Sequence, residues 1–388
     1  MKTTIANSLP STLTQVSLLA LFGHLTPDVF AAAAFPDVAP ASRKTTVARA
    51  FRRLHDGGLV RGTVNAVGGT SLILTEKGAA FWNGQRDEDV IAGSGEKASI
   101  KGPTFAHRQT VSAYLASRIA QPDVTAVIGE FAMNAGSTPL DVARLKKQAG
   151  KLPDGLIFRT TTDAETGEES QVIEWVEGES AYKKPIELVK MLEAITKLQG
   201  AACVAHFTDN FKGLWGDEAG LIQLTVVMAE ADVGHADRLL QAMARMDRAM
   251  GSDPGWQLTR EHIKVAAVPL RRYSLTLNGD VGTWTPEAAP AAIRERLVER
   301  ARAEMTAKEK AKEKEQLQAW IAAYDAENAR RAAAGEAPQP RVPVPDFGYA
   351  IRQDRAPSRR PVHDQEWSVM YPKKKRFDMT KLAQPVAE

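Results

Sequence analysis

The sequence predicts a multi-domain α/β protein with a mixed sheet in its central domain. Three observations lead there. Between residues 105 and 286, segments with helical apolar spacing alternate with β-branched runs, the order expected when helices cover a sheet. The chain has 388 residues and is 44% hydrophobic, enough to bury more than one core. Its charge is segregated: residues 39–62 hold six basic and one acidic side chains and residues 341–377 hold nine and four, net +5 each, which leaves the rest of a +3 chain at −7. Basic character confined to two segments is expected where a chain meets a polyanion. The single cysteine, Cys203, excludes an internal disulfide or a thiolate zinc cage and suits a reducing cytoplasm. No apolar run approaches the roughly 20 residues of a membrane-spanning helix. The start of the chain has no small-residue cleavage site ahead of an apolar core, so neither a membrane span nor a signal peptide is expected.

Residues 13–25 place Val16, Leu19, Leu21 and Phe22 at helical spacing, and Thr26-Pro27-Asp28 supplies the cap and first-turn proline of a second short helix. Residues 42–55 predict a third helix capped by Ser42. Its apolar stripe is Val47, Ala50, Phe51 and Leu54, while Arg43, Lys44, Arg49, Arg52 and Arg53 fall elsewhere on the cylinder. Asp56-Gly57-Gly58 ends it. Residues 59–63, the Gly68-Gly69 turn and residues 71–75 read as a hairpin, and Thr75-Glu76-Lys77-Gly78 opens another helix.

Helix, helix, basic helix, hairpin is the order of winged helix-turn-helix modules. "FRRLHDGGLVRG" followed by "LILTEKGAAFW" resembles that family, and the match spans residues 11–85. The resemblance implies a third helix in the major groove of DNA with the hairpin along the backbone. Arg43, Lys44, Thr46, Arg49, Arg52, Arg53 and Arg61 are then the DNA-binding residues. The alternative is a winged-helix protein-interaction domain whose basic helix is merely solvated.

Residues 86–104 read as a polar linker, and an α/β domain follows over 105–286. It should contain a helix at 105–120, a strand at 124–131, a short helix at 141–148, and strands at 156–161 and 171–177 joined by a polar hairpin. A helix at 185–198, strands at 201–207 and 223–229, a helix at 235–250 and strands at 263–269 and 273–277 complete it. Residues 287–334 predict one long charged helix in which "EMTAKEKAKEKEQLQ" has almost no apolar face, with Leu317, Trp320, Ile321 and Tyr324 at helical spacing. Residues 335–388 form an extended basic tail whose "APSRRP" and "PKKKRF" would add sequence-independent phosphate contacts.

The central domain places acids where strands end. Glu130 follows "TAVIG", Asp154 precedes "GLIFRT", and Glu174, Glu177 and Glu179 decorate "VIEWVEGES". Carboxylates converging from strand ends suit Mg²⁺ or Mn²⁺, and a lysine nearby, Lys183 or Lys184, can offset charge building on a reacting phosphate. Each residue also has a plainer reading: Asp154 as a turn residue, the three glutamates as a solvated edge strand, His107 and Trp175 as packing residues.

"LPDG", a polar hairpin and "VIEWVEGESAYKKPIELVKML" are similar to the core of PD-(D/E)XK nuclease-like domains. Joined to a winged helix, this resembles the replication-relaxation proteins of plasmids, over roughly residues 11–200, with His107 and Glu130 at that family's histidine and early acid. The resemblance implies a restriction-endonuclease-like fold. It also implies Glu130, Asp154 and Glu177 as metal ligands, Glu179 as a further ligand or water acceptor, and Lys183 as the charge-stabilising donor. The chain departs from the pattern in that Glu177 is followed two residues on by Glu179 rather than lysine, and Glu174 by Val176, which leaves Glu174 as an alternative third acid.

The functional expectation is a cytoplasmic protein of a plasmid or other mobile element that binds double-stranded DNA in replication, mobilisation or their control, with metal-dependent cleavage or nicking if the second domain is active. A transcriptional regulator that uses an inactive nuclease-like domain for dimerisation or partner binding is the alternative. A structural or assembly protein binding through its charged helix and tail is another. A homodimer and a protein partner on the charged helix fit these readings; a membrane does not.

Overall fold

A computed structural model of the chain describes residues 9–85, 100–102, 104–138, 140–162, 167, 169–179, 185–199, 221–271 and 274–334. The predicted strand at 201–207, Cys203, Lys183, Lys184 and the basic tail lie outside these. One compact unit extends to Ala301, and a second begins at Arg302. The architecture is mixed α/β, and among the described residues no helix is long and apolar enough to cross a membrane.

The first unit opens with α1 (Leu9–Phe22), β1 (His24–Leu25), α2 (Pro27–Ala34), α3 (Pro40–Asp56), β2 (Val60–Val64), β3 (Thr70–Leu74) and α4 (Glu76–Asn83). The three strands form an antiparallel sheet in the order β1-β3-β2. α2 starts where the sequence places it, with Pro27 in its first turn. α3 starts two residues before the expected Ser42 cap: Ala39 is the cap and Pro40 opens the helix, because proline's fixed φ is already helical and its missing N–H is not needed there. Thr75 caps α4 by accepting a hydrogen bond from the Gly78 amide at 2.9 Å.

The larger sheet is built from β4 (Val124–Gly129), β5 (Gly155–Thr162), β6 (Glu169–Glu179), β7 (Leu221–Ala229), β8 (Ile263–Val268) and β9 (Gly282–Trp284), in that spatial order. β4, β5 and β6 form an antiparallel meander; β7 and β8 then run parallel to β6, and β9 returns antiparallel. Helix α5 (Phe105–Arg118) precedes the sheet, and α6 (Glu130–Ala135) and α7 (Val142–Ala149) lie between β4 and β5. Helix α8 (Pro185–Gln199) lies between the parallel strands β6 and β7, and α9 (Gly234–Met250) and α10 (Pro254–Glu261) lie between β7 and β8. The final helix, α11 (Ala289–Ala333), buries Ala289 and Ile293, and its Arg296 pairs at 3.1 Å with the buried Glu230. Beyond residue 301 its side chains are almost all exposed or half-buried, as the charged sequence predicts.

Alternation along each strand divides the sheet between two cores. Leu156, Phe158, Trp175, Val226 and Met228 face α8, α9 and α10. Ile157, Val176, Val227 and Ala266 face α5, and this core continues through Tyr114 and Phe105 into Val16, Leu19 and Phe30 of the N-terminal helices. The N-terminal module and the α/β domain therefore bury apolar surface in common.

The same junction explains a departure from expectation at 273–277. Among its described residues, 274–277, no strand forms; a single bridge joins Leu270 to Leu277. Leu275 has φ of 50°, its carbonyl accepts from Gln109 Nε2 at 3.3 Å, and the Leu277 amide donates to Asp28. Polar groups from α2 and α5 thus take up backbone positions that a ladder would have used. The edge strand is β9 instead.

His24 sits in this junction, 1% exposed, with its ring 5.3 Å from that of Phe105 and neither nitrogen hydrogen-bonded. Burial, aided by the charge of Arg108, lowers its pKa to about 4. The unfolded chain therefore takes up the proton first. Stability should be intact above pH 6.5 and fall by about 3 kcal/mol as pH drops toward 4. The variant His24→Phe should flatten this acid limb in urea titrations run at several pH values; superimposable curves for variant and wild type would refute the assignment.

Candidate functional site

The antiparallel pairing of β5 with β6 aligns Gly155 with Val176 and so sets Asp154, just before β5, beside Glu177 and Gly178. Asp154 is tightly held. Its amide donates to the Val176 carbonyl at 3.0 Å, its Oδ2 accepts from the Gly178 amide at 2.8 Å, and its Oδ1 lies 3.2 Å from His107 Nε2. Burial pushes this carboxyl up. The His107 hydrogen bond and charge, the Gly178 amide and Lys151 outweigh that and hold it below the ordinary carboxylate value. Glycine is required at 178: a Cβ there would lie 2.6 Å from Val111 and 2.7 Å from the His107 ring. The middle residue of the Glu-Gly-Glu triplet is thus what lets α5 bring His107 to Asp154.

Glu177 is 1% exposed. Trp175 Nε1 donates to its Oε1 at 2.7 Å and Lys151 Nζ to its Oε2 at 2.5 Å. Burial raises its pKa, Lys151 opposes this, and the charge of Asp154 adds to the rise, so the carboxyl ends above its usual range. Glu179, on the same face, is 3.6 Å from His235 Nδ1 near the start of α9. Glu174 points to the opposite face, where Tyr114 donates its hydroxyl hydrogen to it and Arg159 Nε lies 3.8 Å away. All three glutamates are buried on an interior strand, which corrects the solvated-edge reading. Trp175 is a core residue, as its alternative reading held, and it also orients Glu177.

Glu130 is the first residue of α6. Its amide donates to the Asp154 carbonyl at 3.1 Å, but its carboxylate is taken by Arg108 Nε at 3.1 Å and Asn134 Nδ2 at 3.3 Å. The strand ends thus bring the main chains of Glu130, Asp154 and Glu177 together, and their side chains turn to three different partners, Arg108, His107 and Lys151. A divalent ion of the Mg²⁺ type needs several oxygen donors around one point. Among the described residues no three His, Cys, Asp or Glu side chains form such a group, and Lys151 holds the Glu177 oxygen a metal would need. The side chains as placed do not fit a divalent ion. Lys183 lies outside the described residues; Lys151 is the lysine described at the acid pair.

Sequence reasoning missed Lys151, Arg108, Tyr114 and His235. Only Lys151 carried a local signal, three residues ahead of Asp154 in "KLPDG".

The basic helix sorts into two groups. Arg43 donates to the carbonyls of Val38 at 2.7 Å and Pro36 at 3.0 Å, and Arg53 donates to Gln15 at 2.8 Å. Both help hold the helices in place. Thr46 donates back to the Ser42 carbonyl within α3. Lys44, Arg49 and Arg52 are exposed on one side of α3, and Arg61 is exposed on β2. No protein-family model, curated protein or solved structure matches the chain.

Because Glu177 is buried with Lys151 as its cation, Lys151→Met should destabilise the fold by about 2 kcal/mol near pH 8, a value discounted from that of a fully buried pair because Lys151 is partly exposed. Without Lys151 the native carboxyl stays protonated to higher pH than the unfolded one, so the deficit should shrink toward pH 5. Adding Glu177→Gln should remove that pH dependence in denaturant melts.

Proposed function

We propose that the protein binds double-stranded DNA in the replication or mobilisation of a plasmid or other mobile element, or in their control, through a winged-helix module built onto a restriction-endonuclease-like α/β domain. The observation that carries this reading is the exposed face of α3. Lys44, Arg49 and Arg52 stand on it with no ion pair or hydrogen bond to any described residue, on the third helix ahead of the β2–β3 hairpin. Cations left unpaired on a protein surface are available to phosphates. The β1-β3-β2 order supports a winged helix. Among the described residues the succession α5, β4, α6, α7, β5, β6, α8, β7, with two antiparallel pairings and one parallel, supports the nuclease-like fold. In this reading Arg43 and Arg53 support the helix rather than read DNA, and the acid pair, neutralised by His107 and Lys151, belongs to a binding scaffold.

A second reading, a metal-dependent nuclease or nickase, draws on Asp154 and Glu177 standing side by side on adjacent strands, where burial and, less strongly, the charge of Asp154 raise the Glu177 pKa. It requires Lys151 to yield its place to Mg²⁺ or Mn²⁺.

Reversing Arg49 and Arg52 to glutamate should abolish duplex binding in a fluorescence-anisotropy titration while leaving the melting temperature within a few degrees of wild type. Wild-type affinity should fall steeply with salt, about three decades between 50 and 200 mM if six or more phosphates are engaged. Salt-insensitive binding, or a silent double variant, would sink the reading. Supercoiled plasmid incubated with Mg²⁺ or Mn²⁺ should remain intact if the acid pair is a scaffold. Nicking that disappears in Asp154→Asn would establish the second reading.

A further inference from the structure

We infer that a cavity on the α5 face of the sheet, separate from both the acid pair and the basic helix, binds a phosphate group. The cavity has a volume of about 420 Å³, within the range of small-molecule sites. Tyr114 and Arg118 of α5, Arg159 of β5, Glu174 of β6, Gln223 of β7 and Lys264 of β8 line it. Tyr114 follows His107 by seven residues on α5, a rise of about 10 Å, so the cavity lies well along the helix from Asp154.

Three cations converge here on too little negative charge. Arg159 Nη2 donates to Gln223 Oε1 at 2.7 Å, which fixes its guanidinium plane. Asp123 is shared, at 3.6 Å from Arg118 and 3.8 Å from Arg159, and Glu174 is 3.8 Å from Arg159. Lys264 has no ion pair or hydrogen bond among the described residues. Arg118 Nε and Arg159 Nε are both buried without a hydrogen-bond acceptor. Such unsatisfied donors mark the two guanidinium groups as short of acceptors, and a bound oxyanion would match the surplus positive charge by accepting from the N–H groups that face the cavity.

The geometry favours phosphate over carboxylate. The three cations approach from a helix and from two strands separated by β6 and β7. A tetrahedral dianion offers oxygens in all those directions, whereas a planar carboxylate is satisfied by one guanidinium fork. Tyr114 does not compete as an anion: burial, then the charge and hydrogen bond of Glu174, push its pKa well up, and it remains a neutral donor to that glutamate. The phosphate could belong to a free nucleotide or to the end of a nucleic-acid strand.

Calorimetric titration of the full chain, at constant ionic strength, with inorganic phosphate, deoxyadenosine 5′-monophosphate, deoxyadenosine and acetate tests this. Phosphate and the monophosphate should bind and raise the melting temperature; deoxyadenosine and acetate should not. Lys264→Gln and Arg118→Gln, both at partly exposed positions, should each weaken phosphate at least about tenfold, with the ligand-free melting temperature of Lys264→Gln unchanged. A short single strand carrying a 5′-phosphate, compared with its unphosphorylated form and with the mononucleotide, distinguishes the two sources. Preference for the phosphorylated strand assigns the site to strand ends, and equal or weaker binding assigns it to free nucleotides. No binding of phosphate by the wild type, equal binding of acetate, or undiminished binding in both variants would overturn the inference.

Discussion

Strand β6 carries three glutamates, Glu174, Glu177 and Glu179, into the middle of a six-stranded sheet, and each is 1–2% exposed. A carboxylate removed from water costs several kcal/mol unless it is paired or hydrogen-bonded, so the elements around β6 must bring donors to it. Helix α5 provides Tyr114 on one face. On the other, the segment before β5 provides Lys151, and His235 of α9 stands 3.6 Å from Glu179. These partners come from three separate stretches of chain, so satisfying β6 is a condition on how the whole α/β region closes. The cavity on the α5 face and the acid pair at the strand ends are two consequences of that one requirement.

The second organising feature is the shared core beneath α5. Because Tyr114 and Phe105 pack in one cluster with Val16, Leu19 and Phe30, the N-terminal helices do not fold as an isolated bead. Polar bonds reinforce the join: Gln109 Nε2 donates to Thr26 at 2.7 Å, and Asp28 accepts from Leu277. Helix α3, whose exposed face is proposed to meet DNA, is in this way tied to the helix that carries His107 and Tyr114. A change at either of the sites on the sheet has a packed route to the basic helix, through side chains rather than through a flexible tether.

Charge in this protein divides by what it already has for company. Arg43 and Arg53 satisfy backbone and side-chain acceptors of neighbouring segments, whereas Lys44, Arg49 and Arg52 satisfy none among the described residues. The acids divide likewise. Asp154 is turned to His107, Glu177 to Lys151 and Glu130 to Arg108. Counting charges along the sequence assigns one role to a whole cluster; the role of each member follows from its partners.

Much of the fold was legible in the residues. Apolar spacing located α1, α3, α5 and α9, the β-branched runs located β5, β7 and β8, and Pro27 marked the start of α2, because these signals act within one or two turns of chain. The expectation failed where distant groups intervened, as at 273–277, where Asp28 and Gln109 claim the backbone. Helix α6 went unread because its six residues are too few to show a period, and α10 went unread as well. The candidate site was half legible: Asp154 and Glu177 could be named from strand ends, and their adjacency follows from register. Their partners could not be named. Lys151 is 26 residues from Glu177 and Tyr114 is 60 from Glu174, and nothing in local propensity specifies which cation meets which acid over such separations. Sequence alone determined which segments would be helix or strand and where carboxylates would stand along them. Only the tertiary structure decided which charges are neutralised and which remain free, because burial and pairing are properties of what the chain brings together from afar.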